Sequence, residues 1–121
     1  MKKNDLILEP KKDEKSFVYL LGDSDRPDIY KIGATRGAIG HRIKKLQTGN
    51  PDCIFLCRHY KTKYPFYIEK QLHKKYQCYN VLNEWYELPD DEVLNFEKTC
   101  EFYENLIKIM GENPFFPKNP K

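Results

Sequence analysis

The run FVYLLGDSDRPDIYKIGATR, residues 17–36, constrains the fold of this chain more than any other segment. It contains two stretches rich in β-branched and aromatic residues, FVYLL (17–21) and IYKIG (29–33), and this composition is typical of strands. The linker between them, GDSDRPD, is polar and long for a tight hairpin turn, so we expect a polar loop there. The fold therefore starts from two neighbouring strands, each of which carries a tyrosine.

Further helices and strands follow at intervals that fit one small domain. The predicted elements are, in order, a helix between Gly37 and Gly49, a strand at 53–60, a helix from Pro65 to about Gln77, a short strand at 84–88 and a helix over 90–110. Proline in a first helical turn and glycine after a last one are ordinary start and stop signals. Apolar residues share one face on each helix: Ile39, Ile43 and Leu46 on the first, and Ile68, Leu72 and Tyr76 on the second. On the third, the predicted buried stripe is Val93, Phe96, Cys100, Tyr103, Ile107 and Met110.

These elements predict an α/β (α+β) fold. We expect a small, mainly antiparallel three-stranded sheet flanked by helices, with an extra C-terminal helix. The length of 121 residues fits a single domain with a modest core, which we place at residues 16–112. Residues 1–15 are charged and aperiodic, and residues 113–121 are rich in proline, so both are predicted to be tails.

Charge is distributed unevenly along the chain. From Lys31 to Lys75 there are eleven Lys and Arg against two acids, whereas residues 76–112 hold two Lys against nine acids. A basic surplus of this size favours a polyanionic partner such as nucleic acid, although the two halves could also pair with each other. The apolar runs are too short for a membrane span, no secretion signal is visible, and four cysteines without such a signal indicate reduced thiols. We therefore expect an intracellular protein, cytoplasmic or, in a eukaryotic or viral context, nuclear.

One acid is isolated within the basic region. Glu69 lies alone between Asp52 and Glu84, and it shares a helix face with His73 at the i, i+4 spacing. Such a carboxylate is either a salt-bridge partner or a ligand for a hard metal ion, and the spacing leaves both open. A zinc site is a weaker hypothesis, because the available ligands lack the C-x₂-C spacing of compact sites; these are Cys53, Cys57, His59, His73 and Cys78.

Five short motifs in order resemble the GIY-YIG nuclease superfamily, in particular its small branch from phage and large-DNA-virus open reading frames. The motifs are FVYLL, YKIGAT, RIKKLQTGNP, EKQLH and EWYEL, and together they span Phe17 to Leu88. Each motif alone is weak, but five in the same order at compatible spacings are specific. The resemblance implies a nuclease fold and metal-dependent hydrolysis of DNA phosphodiester bonds, with Mg²⁺ or Mn²⁺ as the cofactor.

The resemblance also implies the roles of individual residues. Tyr19 would be the general base, with Lys31 near it to favour the phenolate, and Arg42 would steady the scissile phosphate. Glu69 would hold the metal ion, and His73 would donate to a phosphate or leaving group. Tyr30, on the strand next to Tyr19, is either a second phenol of the site or a core residue, and we include it in the site.

Some positions depart from the superfamily pattern. The first motif lacks the glycine and isoleucine, and Lys31 replaces a tyrosine, as is usual in this branch. The superfamily often has an asparagine after the glutamate helix, and either Asn83 or Glu84 could take that place. Glu84 could be a second metal ligand or, equally, a buried structural acid beside Trp85.

Three classes of function follow from these features. The first is a DNA endonuclease with weak sequence preference or structure specificity, in which DNA contacts come from Arg36, Lys44, Lys45, Lys70 and Lys74. The second is a nucleic-acid-binding module that keeps the fold but does not cleave. The third is a protein-interaction factor that uses the C-terminal helix or tail.

Overall fold

The computed structural model describes residues 16–37, 39–48 and 53–112. The two predicted tails and the helix stop at Gly49 lie outside these residues. The strands are β1 (Phe17–Asp23), β2 (Arg26–Thr35), β3 (Ile54–Lys61), β4 (Asn80–Leu82) and β5 (Trp85–Glu87). The helices are α1 (Ile39–Thr48), α2 (Pro65–Lys75), α3 (Asp90–Leu94) and α4 (Phe96–Glu112), with a 3₁₀ turn at Gln77–Tyr79. In this part of the chain no helix is long and apolar enough to cross a membrane.

The turn between β1 and β2 is shorter than we expected. Both strands extend into the polar linker, so only Ser24 and Asp25 separate them. The side chain of Asp23 is buried and accepts a hydrogen bond of 2.9 Å from the Asp25 backbone N–H, and its other oxygen lies 3.4 Å from Arg26 Nε. These polar residues therefore close a tight turn on their own backbone instead of forming a loop.

The sheet has five strands in the order β3-β1-β2-β5-β4, all antiparallel. The α/β class is confirmed, but the prediction of three strands was wrong. A second hairpin, β4–β5, extends the sheet at β2, where Lys31 pairs with Trp85. Strand β5 corresponds to the strand predicted at 84–88, whereas β4 was not predicted. Asn83 makes the sharp turn of this hairpin with φ of 54°, and the Asn80 side-chain amide donates to the Asn83 carbonyl at 2.8 Å. Three-residue strands of this kind are fixed by such local contacts and carry little hydrophobic pattern.

The register of the strands gives the sheet two different faces. Tyr19 lies opposite Gly33, and Leu21 lies opposite Lys31, on the face that α1 covers with Ile43 and Leu46; we call it the α1 face. The other face, here the α2 face, holds the main core, which α2, α3 and α4 cover. Its buried residues are Val18, Leu20, Ile32, Ile68, Leu72, Tyr76, Tyr86, Leu88, Val93, Phe96 and Cys100.

Helix α2 packs against the sheet as its apolar line predicted. Ile68, Leu72 and Tyr76 are at most 1% exposed, and Pro65 occupies the first helical turn. Because this line faces the core, the neighbouring line of the same helix, which contains Glu69 and His73, faces the rim of the sheet.

The predicted C-terminal helix is divided at Asn95 into α3 and α4. The Asn95 side-chain amide donates to the Asp91 carbonyl at 2.9 Å, in competition with the helical backbone bond to the same oxygen. The predicted buried stripe is otherwise present: four members are buried, and two, Tyr103 and Met110, are half-buried.

Candidate active site

Tyr19 lies on β1, between β3 and β2 in the sheet, and is 1% exposed. Directly opposite on β2 is Gly33, where an added Cβ would come within 2.5 Å of the Tyr19 hydroxyl oxygen. Glycine at this position therefore provides the space in which the phenol lies across the neighbouring strand. Gly33, the glycine of the YKIGAT motif, therefore has a steric role: it makes room for Tyr19 of the FVYLL motif.

Arg42 reaches the same phenol from helix α1. Its Nε donates a hydrogen bond to the Tyr19 hydroxyl at 3.3 Å, and the residue is otherwise exposed to solvent. The next residue along the helix, Ile43, packs against the α1 face and fixes this side of α1 over Tyr19. The first and third motifs are thus joined by a direct contact.

Burial raises the pKa of Tyr19 above its ordinary value, although the hydrogen bond from Arg42 acts in the opposite direction. We had expected Lys31 to stand beside Tyr19 and lower its pKa. The direction was wrong, because burial raises the pKa of Tyr19, and the cation that opposes this rise is Arg42.

Lys31 is instead paired with Glu84. Its Nζ lies 2.7 Å from Glu84 Oε1 and 5.8 Å from the centre of the Trp85 ring. The Lys31 side chain is 14% exposed and that of Glu84 is 44% exposed. Of the two interpretations of Glu84, the one as a buried structural acid was therefore wrong. The charge of Glu84 acts on the ionisation of Tyr19, Arg42 and Glu69, which places it among these groups.

Glu69 and His73 project from α2 to the rim of β2. His73 Nε2 is 3.9 Å from Glu69 Oε2 and 3.2 Å from the carbonyl oxygen of Ile32, the residue after Lys31, which pairs with the first residue of β5. The imidazole also stacks on Tyr86, with ring centres 5.6 Å apart. These contacts fix the face of α2 that carries Glu69 against the strand that carries Lys31 and Gly33.

Burial raises the pKa of Glu69, and the electrostatic effects of His73, Lys31 and Arg42, which lower this pKa, only partly offset the rise. The negative charge of Glu84 raises it further. The ionised form of Glu69 is therefore disfavoured, because the nearby positive charge does not compensate for its burial and for the charge of Glu84. A divalent cation would supply the missing positive charge.

Tyr30 is not part of this cluster. It lies opposite Gly22 and packs against the core on the α2 face, whereas Tyr19 is on the α1 face. We had included Tyr30 in the site, but it lies three residues from Gly33, the partner of Tyr19, and side chains alternate along a strand, so it is on the opposite face and packs as a core residue. Burial raises the pKa of Tyr30, and the charges near it belong to Cys57, Asp28 and Asp90.

The basic residues that we predicted to contact DNA are all exposed. Two are on α1 with Arg42, two are on α2 with Glu69, and one follows β2; they are Lys44, Lys45, Lys70, Lys74 and Arg36. Arg36 is held by a hydrogen bond of 3.2 Å from its guanidinium to the Ser16 hydroxyl. The elements that position the cluster therefore also carry the exposed positive charge.

Among residues 16–37, 39–48 and 53–112, no group of three or more His, Cys, Asp and Glu side chains is placed to hold a metal ion. The cluster does provide two carboxylates, Glu69 and Glu84, each acting electrostatically on its surroundings. Mg²⁺ commonly binds through one or two carboxylates and keeps several waters. The donor set therefore fits Mg²⁺ or Mn²⁺ and does not resemble a closed zinc site.

Sequence reasoning missed one feature of this region. Phe66, in the first turn of α2, is 49% exposed, and the Arg36 guanidinium lies over its ring at 5.6 Å. Its position three residues before Glu69 was the available signal, since such residues are neighbours on a helix surface.

Comparison with known proteins gives one match. The profile of the T5orf172 domain family matches residues 16–101, which include all the elements described above except most of α4. No curated protein and no solved structure matches the chain significantly.

Proposed function

Because the chain belongs to the T5orf172 domain family, we propose that it is a metal-dependent endonuclease of the GIY-YIG type that hydrolyses DNA phosphodiester bonds. The family is related to nuclease-like phage domains, a relationship that supports interaction with nucleic acid as the coarser function. The observation that carries the finer proposal is the hydrogen bond from Arg42 to Tyr19, within electrostatic range of Glu69. A base, a phosphate-binding cation and a metal-binding acid meet there.

Tyr19 takes the proton of the attacking water in this proposal. A phenol accepts a proton only after it has lost its own, and burial raises the pKa of Tyr19. The neutral phenol therefore predominates near pH 7, and the ionised fraction that can act as a base increases with pH.

Arg42 has two tasks that its geometry allows at the same time. One N–H, at Nε, donates to the Tyr19 oxygen and orients the phenol. The guanidinium carries four further N–H donors in a planar arrangement, which suit the oxygens of a phosphate that gains charge during the reaction. Arg42 thus holds the base and the phosphate at a fixed separation.

Glu69, with Glu84 close to it, is the residue that would hold the metal ion. Mg²⁺ or Mn²⁺, when bound there, supplies positive charge to the phosphate and the leaving oxygen. The raised pKa of Glu69 supports this role, because a cation relieves the unfavourable ionised state of a partly buried acid.

His73 positions Glu69 in this proposal. Its Nε2 is engaged with the Ile32 carbonyl, and its ring is stacked on Tyr86, so the imidazole connects α2 to β2 beside the acid. Lys31, whose Nζ lies 2.7 Å from Glu84 Oε1, adds positive charge to the site.

The test is incubation of the purified protein with supercoiled plasmid and branched DNA in Mg²⁺, Mn²⁺ or EDTA. We expect cleavage only with metal, and a decrease in rate of about 10²–10³-fold for Arg42→Ala and for Glu69→Ala. Lys98→Ala, which changes an exposed lysine of α4 remote from the cluster, is the matched control and should cleave normally. Cleavage that persists in Arg42→Ala and Glu69→Ala would contradict the site assignment.

A non-cleaving binding module is the alternative. The Lys31–Glu84 pair favours it, because an acid neutralised by lysine is a weaker metal ligand. In that case salt-sensitive DNA binding would be seen in EDTA, with no cleavage under any metal condition, and Glu69→Ala would bind DNA as the unchanged protein does.

A further inference from the structure

The first turn of α2 presents an aromatic ring that the fold does not use. Phe66 is 49% exposed and belongs to neither hydrophobic cluster of the described residues, whereas its neighbour Pro65 and the next turn, with Ile68, are buried. Exposed single apolar residues are common, so exposure alone carries little weight. The surroundings of Phe66 distinguish it.

Arg36 lies over the Phe66 ring. The guanidinium carbon is 5.6 Å from the ring centre, and the same side chain donates a hydrogen bond of 3.2 Å to the Ser16 hydroxyl. Ser16 is fully buried, so this bond ties the flexible arginine to the fixed start of β1. With the guanidinium over its ring, Phe66 is still 49% exposed, and aromatic rings and guanidinium groups are both groups on which nucleobases stack.

The pair is adjacent to the proposed active site. One stripe along α2, at the i, i+3, i+4, i+7 spacing, contains Phe66, Glu69, Lys70 and His73. Three residues of helix span about 4.5 Å along the axis. A base that contacts Phe66 would therefore lie about one nucleotide from a phosphate held next to Glu69.

We propose that Phe66 and Arg36 form a stacking platform for an unpaired nucleobase of the DNA substrate. Inside a duplex both faces of a base are covered by its neighbours, so a side chain stacks on a base only where the strand is single or the base is extruded. The inference rests on the proposed function and refines it: the substrate is DNA with unpaired nucleotides next to the cut, such as a flap or branch. Lys70, exposed four residues after Phe66, is placed to contact the adjoining phosphate.

The test is DNA binding in EDTA, measured by fluorescence anisotropy at fixed salt, so that it does not depend on cleavage. The probes are a blunt duplex and the same duplex with a single-stranded flap. We expect Phe66→Ala to weaken flap binding by about 5- to 100-fold and to leave duplex binding nearly unchanged. Phe66→Trp should retain flap binding, since it keeps an aromatic face, and Phe66→Leu should lose it. A 2-aminopurine in the flap should be quenched by the unchanged protein and not by Phe66→Ala.

Phe102→Ala is the matched control. Phe102 is also exposed, at 60%, but lies on α4, so its loss should affect neither probe. Unchanged flap binding in Phe66→Ala, an equal loss on both probes, or no binding of either probe by the unchanged protein would overturn the inference. If the platform behaves as expected but no metal supports cleavage, then the nuclease proposal fails and the stacking site stands as part of a binding module.

Discussion

At the scale of single residues, the site depends on how one phenol is enclosed. Tyr19 occupies space that exists only because Gly33 has no side chain, and the same enclosure raises the pKa of the hydroxyl. Arg42, from the solvent side, makes the one hydrogen bond that orients it among the described residues. Steric fit and acidity therefore have one cause, the burial of this side chain.

The raised pKa of Tyr19 predicts the pH dependence of cleavage. The ordinary value is 10.0, and the pKa in the folded protein lies above it, so the ionised fraction increases tenfold per pH unit throughout the neutral and mildly alkaline range. We expect the cleavage rate at saturating metal to rise about tenfold per unit between roughly pH 7 and 9. Tyr19→Phe should remove this slope along with the activity. A rate that becomes constant below pH 9 would assign the base to another group.

Glu69 predicts a conflict between stability and activity. Its pKa is raised above the ordinary 4.5, so the folded state holds the proton more tightly than the unfolded state, and stability decreases as pH rises from 4.5 through the raised value. Glu69→Gln should therefore raise Tm at pH 7 without metal, should raise it less at pH 4, and should abolish cleavage. Thermal melts at both pH values check the sign; a lower Tm at pH 7 would mean that Glu69 stabilises the fold as an ion pair.

At the scale of elements, α1, α2 and α4 have different roles. α1 delivers Arg42 to the α1 face, and α2 delivers Glu69 and His73 to the rim of β2. α4 supports the opposite side: Glu104 accepts a hydrogen bond of 2.9 Å from Thr62 and another from Tyr60, which attaches α4 to β3. The predicted C-terminal helix is thus part of the core that holds α2 in place.

Docking of α4 gives a prediction with an internal control. Phe96 is 1% exposed in the main core, whereas Phe102 on the same helix is 60% exposed. Phe96→Ala should lower the free energy of unfolding by about 3–5 kcal/mol, and Phe102→Ala should change it by less than about 0.5 kcal/mol. Urea denaturation measures both. Similar losses in the two variants would mean that the outer face of α4 is covered in solution.

At the scale of the whole molecule, positive charge follows the site. The exposed lysines of α1 and α2 lie on the helices that carry Arg42 and Glu69, whereas the acidic surplus lies in the last third of the chain. The domain therefore presents a cationic side to DNA, and phosphate contacts should dominate its affinity.

Salt dependence checks this arrangement. Lys44→Ala and Lys70→Ala should each reduce the slope of log K against log[salt] by about 1, uniformly across DNA sequences. Lys98→Ala, on the acidic side, should leave the slope unchanged. Equal effects of all three substitutions would mean that the charge acts only as a net value and that binding is not confined to one side.

The sequence by itself determined the class of the fold, the buried lines of α2 and α4, and the set of motifs that the cluster contains. These depend on hydrophobic periodicity and turn residues, which are local properties of the chain. It also identified Tyr19, Arg42 and Glu69 as candidates, through the order and spacing of short motifs.

Only the tertiary structure determined which residues of the site contact one another. The register of β1 and β2 separated Tyr30 from Tyr19, the added β4–β5 hairpin brought Glu84 to Lys31, and the packing of α1 placed Arg42 at the phenol. Each depends on contacts between residues distant in the chain, and a shift of one residue in a strand moves every side chain to the other face. The direction of the Tyr19 pKa shift was unpredictable for the same reason, because desolvation is set by the packed environment as a whole.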